Sequence, residues 1–124
     1  IAEKIKGLKE KFKDKGIGYD VYNWKFIQPK IKGINQESIS QTALVLSEPL
    51  KLIEKLFIDG NISISDNPVA LWNWRNSRIK IVDAAGNMRI MKNESNDSTD
   101  GAIALNNAMA LYFKQVLDPM APVK

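Results

Sequence analysis

The sequence contains no cysteine and no histidine among its 124 residues. These absences exclude disulfide bonds, zinc sites of the Cys/His type, cysteine nucleophiles and Ser-His-Asp triads. Any chemistry must therefore come from carboxylates, hydroxyl groups, lysine or arginine. Carboxylates prefer hard cations, so the composition favours Mg²⁺ or Mn²⁺ if the protein uses a metal.

Long hydrophobic runs are also missing, and no stretch has the length needed to span a bilayer. The N-terminus lacks the pattern of a signal peptide, yet the first residue is Ile1 rather than methionine. We therefore expect a processed chain or a part of a longer protein. The length suits one domain, and 44% hydrophobic with 26% charged residues is typical of a soluble globular protein.

The net charge is +4, from 18 Lys and Arg against 14 Asp and Glu, and it favours an anionic partner only weakly. The distribution of charge is more informative, because basic residues crowd two segments and acids follow the second. Lysines crowd residues 4–15, and the later groups are Arg75, Arg78, Lys80, Arg89 and Lys92, then Glu94, Asp97 and Asp100. A metal-dependent enzyme acting on nucleic acid needs basic surface beside clustered acids, although many solvated surfaces look the same.

Hydrophobic periodicity and turn residues predict alternating helices and strands, which indicates an α/β fold. Helices are predicted over 1–15, 23–33, 47–60, from 67 onward and 100–117, strands over 17–20, 37–45 and 61–65, and a hairpin over 79–91. Ser47 is expected to cap its helix with Pro49 in the first turn, and Gly86 to be the left-handed residue of the hairpin turn. In the helix that begins at residues 67–68, Val69 and Trp72 are expected to face inward, with Trp74 as a third candidate.

Two of the acids lack an ordinary explanation on a solvated helix face or in a turn. Asp20 closes the apolar strand Ile-Gly-Tyr, and ligands of α/β sheets gather at the carboxyl ends of strands. Asp100 opens the helix GAIALNNAMALYF, whose small residues would let it lie very close to a sheet. Each acid could instead be a helix cap, and the pattern alone does not decide between the two roles. A two-metal phosphodiesterase holds cations about 4 Å apart, and two acids cannot fill such a site alone.

Three segments, read in order, resemble the C-terminal nuclease domain of the large terminase subunit of tailed phages. They are GIGYDVYN, SEPLKLIEKLFIDGNISISDNPVALWNWRN and DAAGNMRIMKNESNDSTDGAIALNNAMAL, and the resemblance covers about residues 1–115. The family pattern has an apolar strand ending Tyr-Asp, a Ser-x-Pro helix, an Asn-Pro-Val helix with Trp, an Ala-Gly-Asn hairpin, and Asp-Gly before an Ala-rich helix. No single motif is decisive, but the ordered set is specific.

The resemblance implies a ribonuclease H-like α/β nuclease fold that is incomplete at its N-terminal side because the first strands are missing. It also implies a DNA endonuclease with Mg²⁺ or Mn²⁺ in a two-metal site, which cuts concatemeric phage DNA during genome packaging. By position, Asp20 matches the second catalytic, metal-binding acid of the family and Asp100 the last. The first acid has no counterpart here, and the ATPase motif Gly-x-x-x-x-Gly-Lys-Ser/Thr is absent. Thr99 stands where the family usually has an aliphatic residue.

The partners implied by the resemblance are double-stranded DNA, the small terminase subunit and the portal protein, with no membrane, in the cytoplasm of the bacterial host. We expect residues 1–118 to form the C-terminal part of the nuclease domain and residues 119–124 a tail. An open sheet edge beside the strand of Asp20 predicts self-association. The missing acid predicts weak or no cleavage by this chain alone.

The basic hairpin, through Lys80, Arg89 and Lys92, is predicted to bind DNA phosphates, and this is slightly favoured over a solvated edge. The three tryptophans could stack on bases, although packing in the core or in a groove is favoured. A different class of function stays open, namely a non-catalytic prophage remnant or a DNA- or protein-binding module. In that case Asp20 and Asp100 would only cap helices.

Overall fold

The structure, a computed structural model, describes residues 2–11, 16–22, 24–64, 67–94 and 97–117. Its α-helices are α1 (Ala2–Lys11), α2 (Ala43–Ile58), α3 (Pro68–Arg75) and α4 (Asp100–Tyr112), and its strands are β1 (Ile17–Tyr19), β2 (Gln36–Ser38), β3 (Ser77–Ile81) and β4 (Met88–Lys92). Two 3₁₀ helices (Trp24–Phe26 and Gln28–Ile31) follow β1, and a π-helical segment (Phe113–Leu117) continues α4. No helix in these ranges has the length and apolar character needed to cross a membrane.

The first two strands form a parallel pair in which Tyr19 lies opposite Ser38. The pairing continues past β2, because the Ile39 N–H donates to the Tyr19 carbonyl at 2.7 Å. Parallel neighbours require a crossover connection. The two 3₁₀ helices lie in this connection, in place of the single helix predicted over 23–33. The first residue of the helix predicted over 23–33, the end of the first helix over 12–15 and the tail over 119–124 lie outside the described residues.

Helix α4 packs against α2, α3 and β1. Its residues Ala102, Asn106 and Ala110 are 0%, 2% and 3% exposed, and their four-residue spacing places them on one face. Ala110 joins Ile39 and Leu46 in a buried apolar cluster. Because most of these side chains are small, neighbouring backbone can approach the helix closely, as the sequence predicts.

Strand β1 lies close to α4 at Gly18, which carries no side chain. A Cβ atom there would lie 3.0 Å from Ile39 Cγ1, 3.1 Å from the Asn107 carbonyl oxygen and 3.3 Å from Leu111 Cβ. These separations are shorter than an ordinary van der Waals contact. Glycine is therefore the residue that lets the strand lie against the helix without displacing either element.

Helix α2 begins four residues before Ser47, so the prediction that Ser47 caps it and Pro49 lies in its first turn is wrong. Thr42 occupies the N-cap position. Ser47 is buried inside the helix, where its hydroxyl accepts a hydrogen bond from the Met88 N–H at 2.9 Å. That hydroxyl therefore joins α2 to β4. Leu46 packs in the core, and its burial stabilises the additional N-terminal turn.

The strand predicted over 61–65 is not formed in its described part, because residues 61–64 have no regular structure. Residue 65 lies outside the described residues. The helix start at Asn67 is confirmed. Its side-chain oxygen accepts hydrogen bonds from the N–H groups of Val69 and Ala70 at 2.9 and 3.2 Å, as an N-cap does. The last predicted helix is also observed, as α4 and its π-helical continuation.

The predicted hairpin is confirmed as the antiparallel pair β3–β4, and Gly86 has the left-handed φ of +84° that its turn requires. Asp83 organises this turn. Its Oδ1 accepts a hydrogen bond from the Asn87 N–H at 3.1 Å, and its Oδ2 accepts one from Asn87 Nδ2 at 2.9 Å. The side-chain bond and then the backbone bond from Asn87 lower the pKa of Asp83, because both favour the carboxylate.

The replacement Gly18→Ala should destabilise the protein by about 1–3 kcal/mol, because the new methyl group overpacks the contact between β1 and α4. Gly7→Ala is the matched control. A Cβ atom at Gly7 meets nothing within 4 Å in helix α1, so this change should stabilise the protein by about 0.5–1 kcal/mol. Denaturant unfolding measures both effects. Equal midpoints for Gly18→Ala and the parent protein would show that the contact is looser than described.

The turn at Asp83 should weaken in acid. Since the folded pKa is lowered, the stabilisation is fully present above the unfolded pKa of about 3.9 and is lost as the pH falls through the lower folded value. An NMR titration should show the Asp83 carboxyl carbon and the Asn87 amide changing together in this range. In Asp83→Ala the Asn87 amide should show no such transition. A midpoint for Asp83 above about 3.9 would contradict the assignment.

Candidate functional site

Asp20 follows β1 directly and is exposed. Its Oδ1 accepts a hydrogen bond from the Tyr22 N–H at 3.2 Å, which forms an Asx-type turn. The next helical residue is Trp24 in a short 3₁₀ helix, and no hydrogen bond among the described residues joins the carboxylate to that helix. Asp20 therefore shapes a turn at the carboxyl end of a strand, and its second oxygen has no protein partner within the described ranges.

Asp100 is the first residue of α4 and is exposed. The N-cap position belongs to Thr99, which is 1% exposed and makes no capping bond through its side chain. The alternative that Asp100 is the N-cap of this helix is therefore wrong. The Ser98 hydroxyl can donate to Asp100 Oδ2 at 3.4 Å. A carboxylate in the first turn of a helix is also favoured by the positive end of the helix dipole.

The two elements that carry these acids are in contact. Gly18 lies two residues before Asp20, and its neighbours in α4 are Asn107 and Leu111. Asp100 lies seven residues before Asn107, which corresponds to about 10 Å along the helix axis. The structure thus brings β1 and α4 together, and convergence of the two carboxylates on one site stays a prediction.

Metal binding can be judged from the types of donor atom at these two positions. Within the described ranges, no three Asp, Glu, His or Cys side chains cluster in a way that could hold a metal ion. A cation between Asp20 and Asp100 would therefore have at most these two carboxylates from the described chain. Exposed carboxylates suit Mg²⁺ or Mn²⁺ in kind, because these ions prefer oxygen ligands and Mg²⁺ keeps several waters. The donor types therefore fit a hard divalent cation, and membership of these two acids in a two-metal site stays a prediction.

The register of the hairpin sorts its basic residues onto two faces. Lys80 lies opposite Arg89, and Arg78 lies opposite Met91. Directly opposed residues share a face, and so do alternate residues of one strand. Arg78, Lys80 and Arg89 therefore form one exposed basic face. Lys92 pairs with Ser77 and lies on the other face.

The basic face has no acidic partner on the described surface. The ion pairs of the described residues join lysines of α1 and α2 to nearby acids, and none involves Arg78, Lys80 or Arg89. Like charges directly opposite each other, as in the pair of Lys80 and Arg89, destabilise a sheet. A polyanion laid along this face would relieve that repulsion by neutralising the charges.

Two tryptophans have packing partners, which confirms the role favoured from the sequence. Trp24 stacks on Tyr19 with ring centroids 4.6 Å apart, and its Nε1 donates to Gln36 Oε1 at 2.8 Å. Trp74 meets Phe57 edge to face at 5.2 Å. Such contacts hold the indole rings within the fold. The third tryptophan, in α3, is 50% exposed.

The inward face of α3 differs from the one that the sequence predicts. The prediction that Val69 and Trp72 face inward is wrong, since they are 62% and 50% exposed, whereas Asn73 and Asn76 are 5% and 9% exposed. The reason is that this face meets the N-terminus of α4, where free N–H groups need acceptors. Sequence reasoning missed Asn73 because apolar periodicity does not mark a buried amide. Arg78 was missed as part of the basic face although its alternation with Lys80 was the available signal.

Comparison with known proteins gives matches of two kinds. The sequence profile of the family described as "Terminase large subunit, endonuclease domain" matches residues 2–115. The large terminase of bacteriophage HK97 is a similar solved structure, with 17% identity, a TM-score of 0.76, and coverage of 89% of this chain and 24% of that one. The large terminase nuclease of the thermophilic phage G20c has 19% identity, a TM-score of 0.67, and coverage of 86% and 58%. No curated protein matches the sequence significantly.

The structural matches confirm the fold predicted from the resemblance, since the chain shares the fold of two solved large terminase structures at TM-scores of 0.76 and 0.67. At identities below 20% the similarity concerns the fold. The chain spans about a quarter of the first matched structure and somewhat more than half of the second.

Proposed function

Because the chain belongs to the family of terminase large subunit endonuclease domains, we propose that it is a metal-dependent DNA endonuclease that cuts concatemeric phage DNA during genome packaging. The observation that carries this proposal is the family match over residues 2–115. It is supported by the placement of Asp20 directly after β1 and of Asp100 at the start of α4, since β1 and α4 are in direct contact. The absence of His and Cys is consistent with hydrolysis that depends on carboxylates.

Asp20 and Asp100 are the proposed ligands of Mg²⁺ or Mn²⁺. Asp20 offers its Oδ2, since Tyr22 engages the other oxygen. Asp100 offers a carboxylate that the first turn of α4 keeps at the surface. When bound, such cations activate a water molecule and stabilise the leaving oxygen of a phosphodiester. The two carboxylates hold the cations and, through their exposure, leave the site open to a DNA strand.

Duplex DNA is the proposed substrate, and the basic face of Arg78, Lys80 and Arg89 is its proposed contact. Lysine and arginine on a two-stranded ribbon can neutralise phosphates along a groove without reading bases. Lys92 lies on the opposite face of the ribbon, so its proposed contribution is separate from that of the other three.

The remaining partners are proposed from the family. They are the small terminase subunit and the portal protein, met in the cytoplasm of the bacterial host. We also propose that residues 1–118 act as one unit with a tail over 119–124. Self-association through β1 is supported by its pairing, since β2 is its one partner strand among the described residues.

A second candidate function is a DNA-binding module that does not cleave. One observation favours it: the described residues contain no cluster of three potential metal ligands. In this case the basic face binds duplex DNA, while Asp20 only shapes its turn and Asp100 only favours the start of α4.

Asp20→Asn and Asp100→Asn should each abolish Mn²⁺-dependent plasmid cleavage by the full-length protein that contains this chain. Both changes keep the side-chain shape and remove the charge that a divalent cation needs, so circular dichroism and the melting temperature should stay unchanged. Asp59→Asn is the control, because Asp59 is exposed beyond α2 and pairs with Lys55. The 124-residue chain alone should bind Mn²⁺ weakly and cleave poorly. Robust cleavage by this chain, lost in Asp20→Asn, would show that its site is complete.

The variant Arg78→Ala/Lys80→Ala/Arg89→Ala should bind unrelated duplexes with equally reduced affinity. The slope of log Kd against log salt should fall by up to about three, one for each phosphate that is no longer neutralised. Lys51→Ala/Lys55→Ala is the control, because both lysines already pair with acids on α2 or just beyond it. The variant Lys80→Ala/Arg89→Ala/Lys92→Ala distinguishes the contributions of the two faces of the hairpin. Its salt slope should fall by only about two, because Lys92 lies on the face opposite Lys80 and Arg89. An unchanged slope in the first variant would remove the hairpin from the interface.

A further inference from the structure

The side chain of Asn73 links two helices. It is 5% exposed, and its Nδ2 donates to the Val69 carbonyl of its own helix α3 at 2.9 Å. Its Oδ1 accepts a hydrogen bond from the Gly101 N–H of α4, also at 2.9 Å. One partner can only accept and the other can only donate, so the two contacts determine the orientation of the amide.

The bond to Gly101 satisfies a group that α4 cannot satisfy by itself. Gly101 is the second residue of the helix, and an N–H at that position has no acceptor within its own helix. The first bond of the helix ladder runs from the Ile103 N–H to the Thr99 carbonyl at 3.0 Å. Thr99 occupies the N-cap position without a capping bond. Asn73 thus performs the task of an N-cap side chain from a different helix.

The same network reaches the Asp100 carboxylate. Asn76 Nδ2 donates to the Ser98 carbonyl at 3.0 Å, which ties the segment before α4 to the end of α3. The Ser98 hydroxyl lies 3.4 Å from Asp100 Oδ2 and 3.5 Å from Asn73 Oδ1. A hydroxyl has one proton and can donate it to only one of these acceptors at a time. Asn73 and Asp100 therefore share the Ser98 hydroxyl as a common neighbour.

We infer that Asn73 is a positioning residue, which caps α4 from α3 and thereby fixes the place of the Asp100 carboxylate for a divalent cation. This inference rests on the proposed function for the cation, whereas the capping itself stands on the described hydrogen bonds. Asn73 has no proposed contact with the substrate or the cation, since its amide bonds to Val69 and Gly101. It acts through the Gly101 N–H and the Ser98 hydroxyl, which set the first turn of the helix that begins with Asp100.

The capping is tested by amide hydrogen exchange at Gly101. In the parent chain this amide should be protected, although an uncapped second position of a helix exchanges freely. Asn73→Ala should raise its exchange rate on the order of tenfold, as expected for loss of a helix cap. Asn73→Asp keeps an acceptor oxygen in the same place and should retain the protection. Free exchange of Gly101 in the parent chain would overturn the inference whether or not the variant is stable. Equal protection of Gly101 in folded Asn73→Ala would also overturn it.

The matched control is Asn107→Ala, which removes another buried amide of the same region. Asn107 is 8% exposed in α4, and its Oδ1 accepts a hydrogen bond from Gln41 Nε2 at 2.9 Å. The free energy of unfolding of Asn107→Ala should fall by about as much as that of Asn73→Ala. Once this change in global unfolding is taken into account, the exchange rate of Gly101 in Asn107→Ala should equal that in the parent chain. If Asn73→Ala does not fold, the parent chain and Asn73→Asp decide, and an unprotected Gly101 in folded Asn73→Asp would overturn the capping role.

The positioning is tested with Mn²⁺ alone, through paramagnetic broadening of the Asp100 and Gly101 amide resonances. Asn73→Ala should require a Mn²⁺ concentration on the order of tenfold higher for the same broadening, as is typical when a residue that orients a metal ligand is removed. Asn107→Ala should respond like the parent chain. Unchanged Mn²⁺ broadening in Asn73→Ala with lost Gly101 protection would overturn the positioning role. Absence of broadening in the parent chain would overturn the proposed cation site, while Gly101 exchange would still report the cap.

Discussion

The close packing of α4 is the constraint on which the rest of the described structure depends. Its inward face carries alanine and asparagine in place of larger side chains, and Gly18 presents bare backbone to it. Strand β1 and helices α2 and α3 can therefore all lie against α4. The apolar cluster that contains Ile39 lies among these elements. Closely packed protein interiors are destabilised by the addition of even one methyl group. The positions of both candidate acids follow from this packing, since Asp20 continues β1 and Asp100 begins α4.

Buried amides and hydroxyls determine how the elements around α4 are aligned. Ser47 joins α2 to β4, Asn73 joins α3 to α4, and Gln41 reaches Asn107 from the segment before α2. Apolar contacts tolerate small shifts, whereas a buried polar group loses its full bond when its partner moves. These contacts therefore select one arrangement among the several that apolar burial alone would permit. They also place a polar network directly beside the candidate metal ligand at Asp100.

The charge pattern has two parts with different physical character. The basic face consists of cations held next to one another on a short ribbon, an arrangement that works against folding because like charges repel. The acids lie on separate elements, where a strand end and a helix start keep them exposed. The like-charge pair of Lys80 and Arg89 raises the free energy of the isolated chain, whereas Asp100 is favoured by the positive end of the α4 dipole. In the proposed function, phosphates would neutralise the basic face and divalent cations would bind the acids.

The sequence by itself determined the features that depend on neighbouring residues. Asn67 and the proline after it begin α3, Gly86 turns the hairpin, and the small-residue run from Asp100 forms α4, because each signal acts within a few residues through caps, φ preference or side-chain size. The absence of His and Cys limited the chemistry, and the ordered motifs indicated the family and the two acids.

Only the tertiary structure decided what distant residues do to one another. Ser47 carries the local signal of a helix cap, yet its hydroxyl bonds to a residue 41 positions away and the helix starts earlier. Lys92 reads as one more hairpin cation, and the strand register places it on the opposite face from Lys80. Asn73 carries no local signal, because its acceptor role arises only where a second helix presents an unpaired N–H. A linear pattern records which groups a residue carries, and the packing of the chain determines which groups they meet.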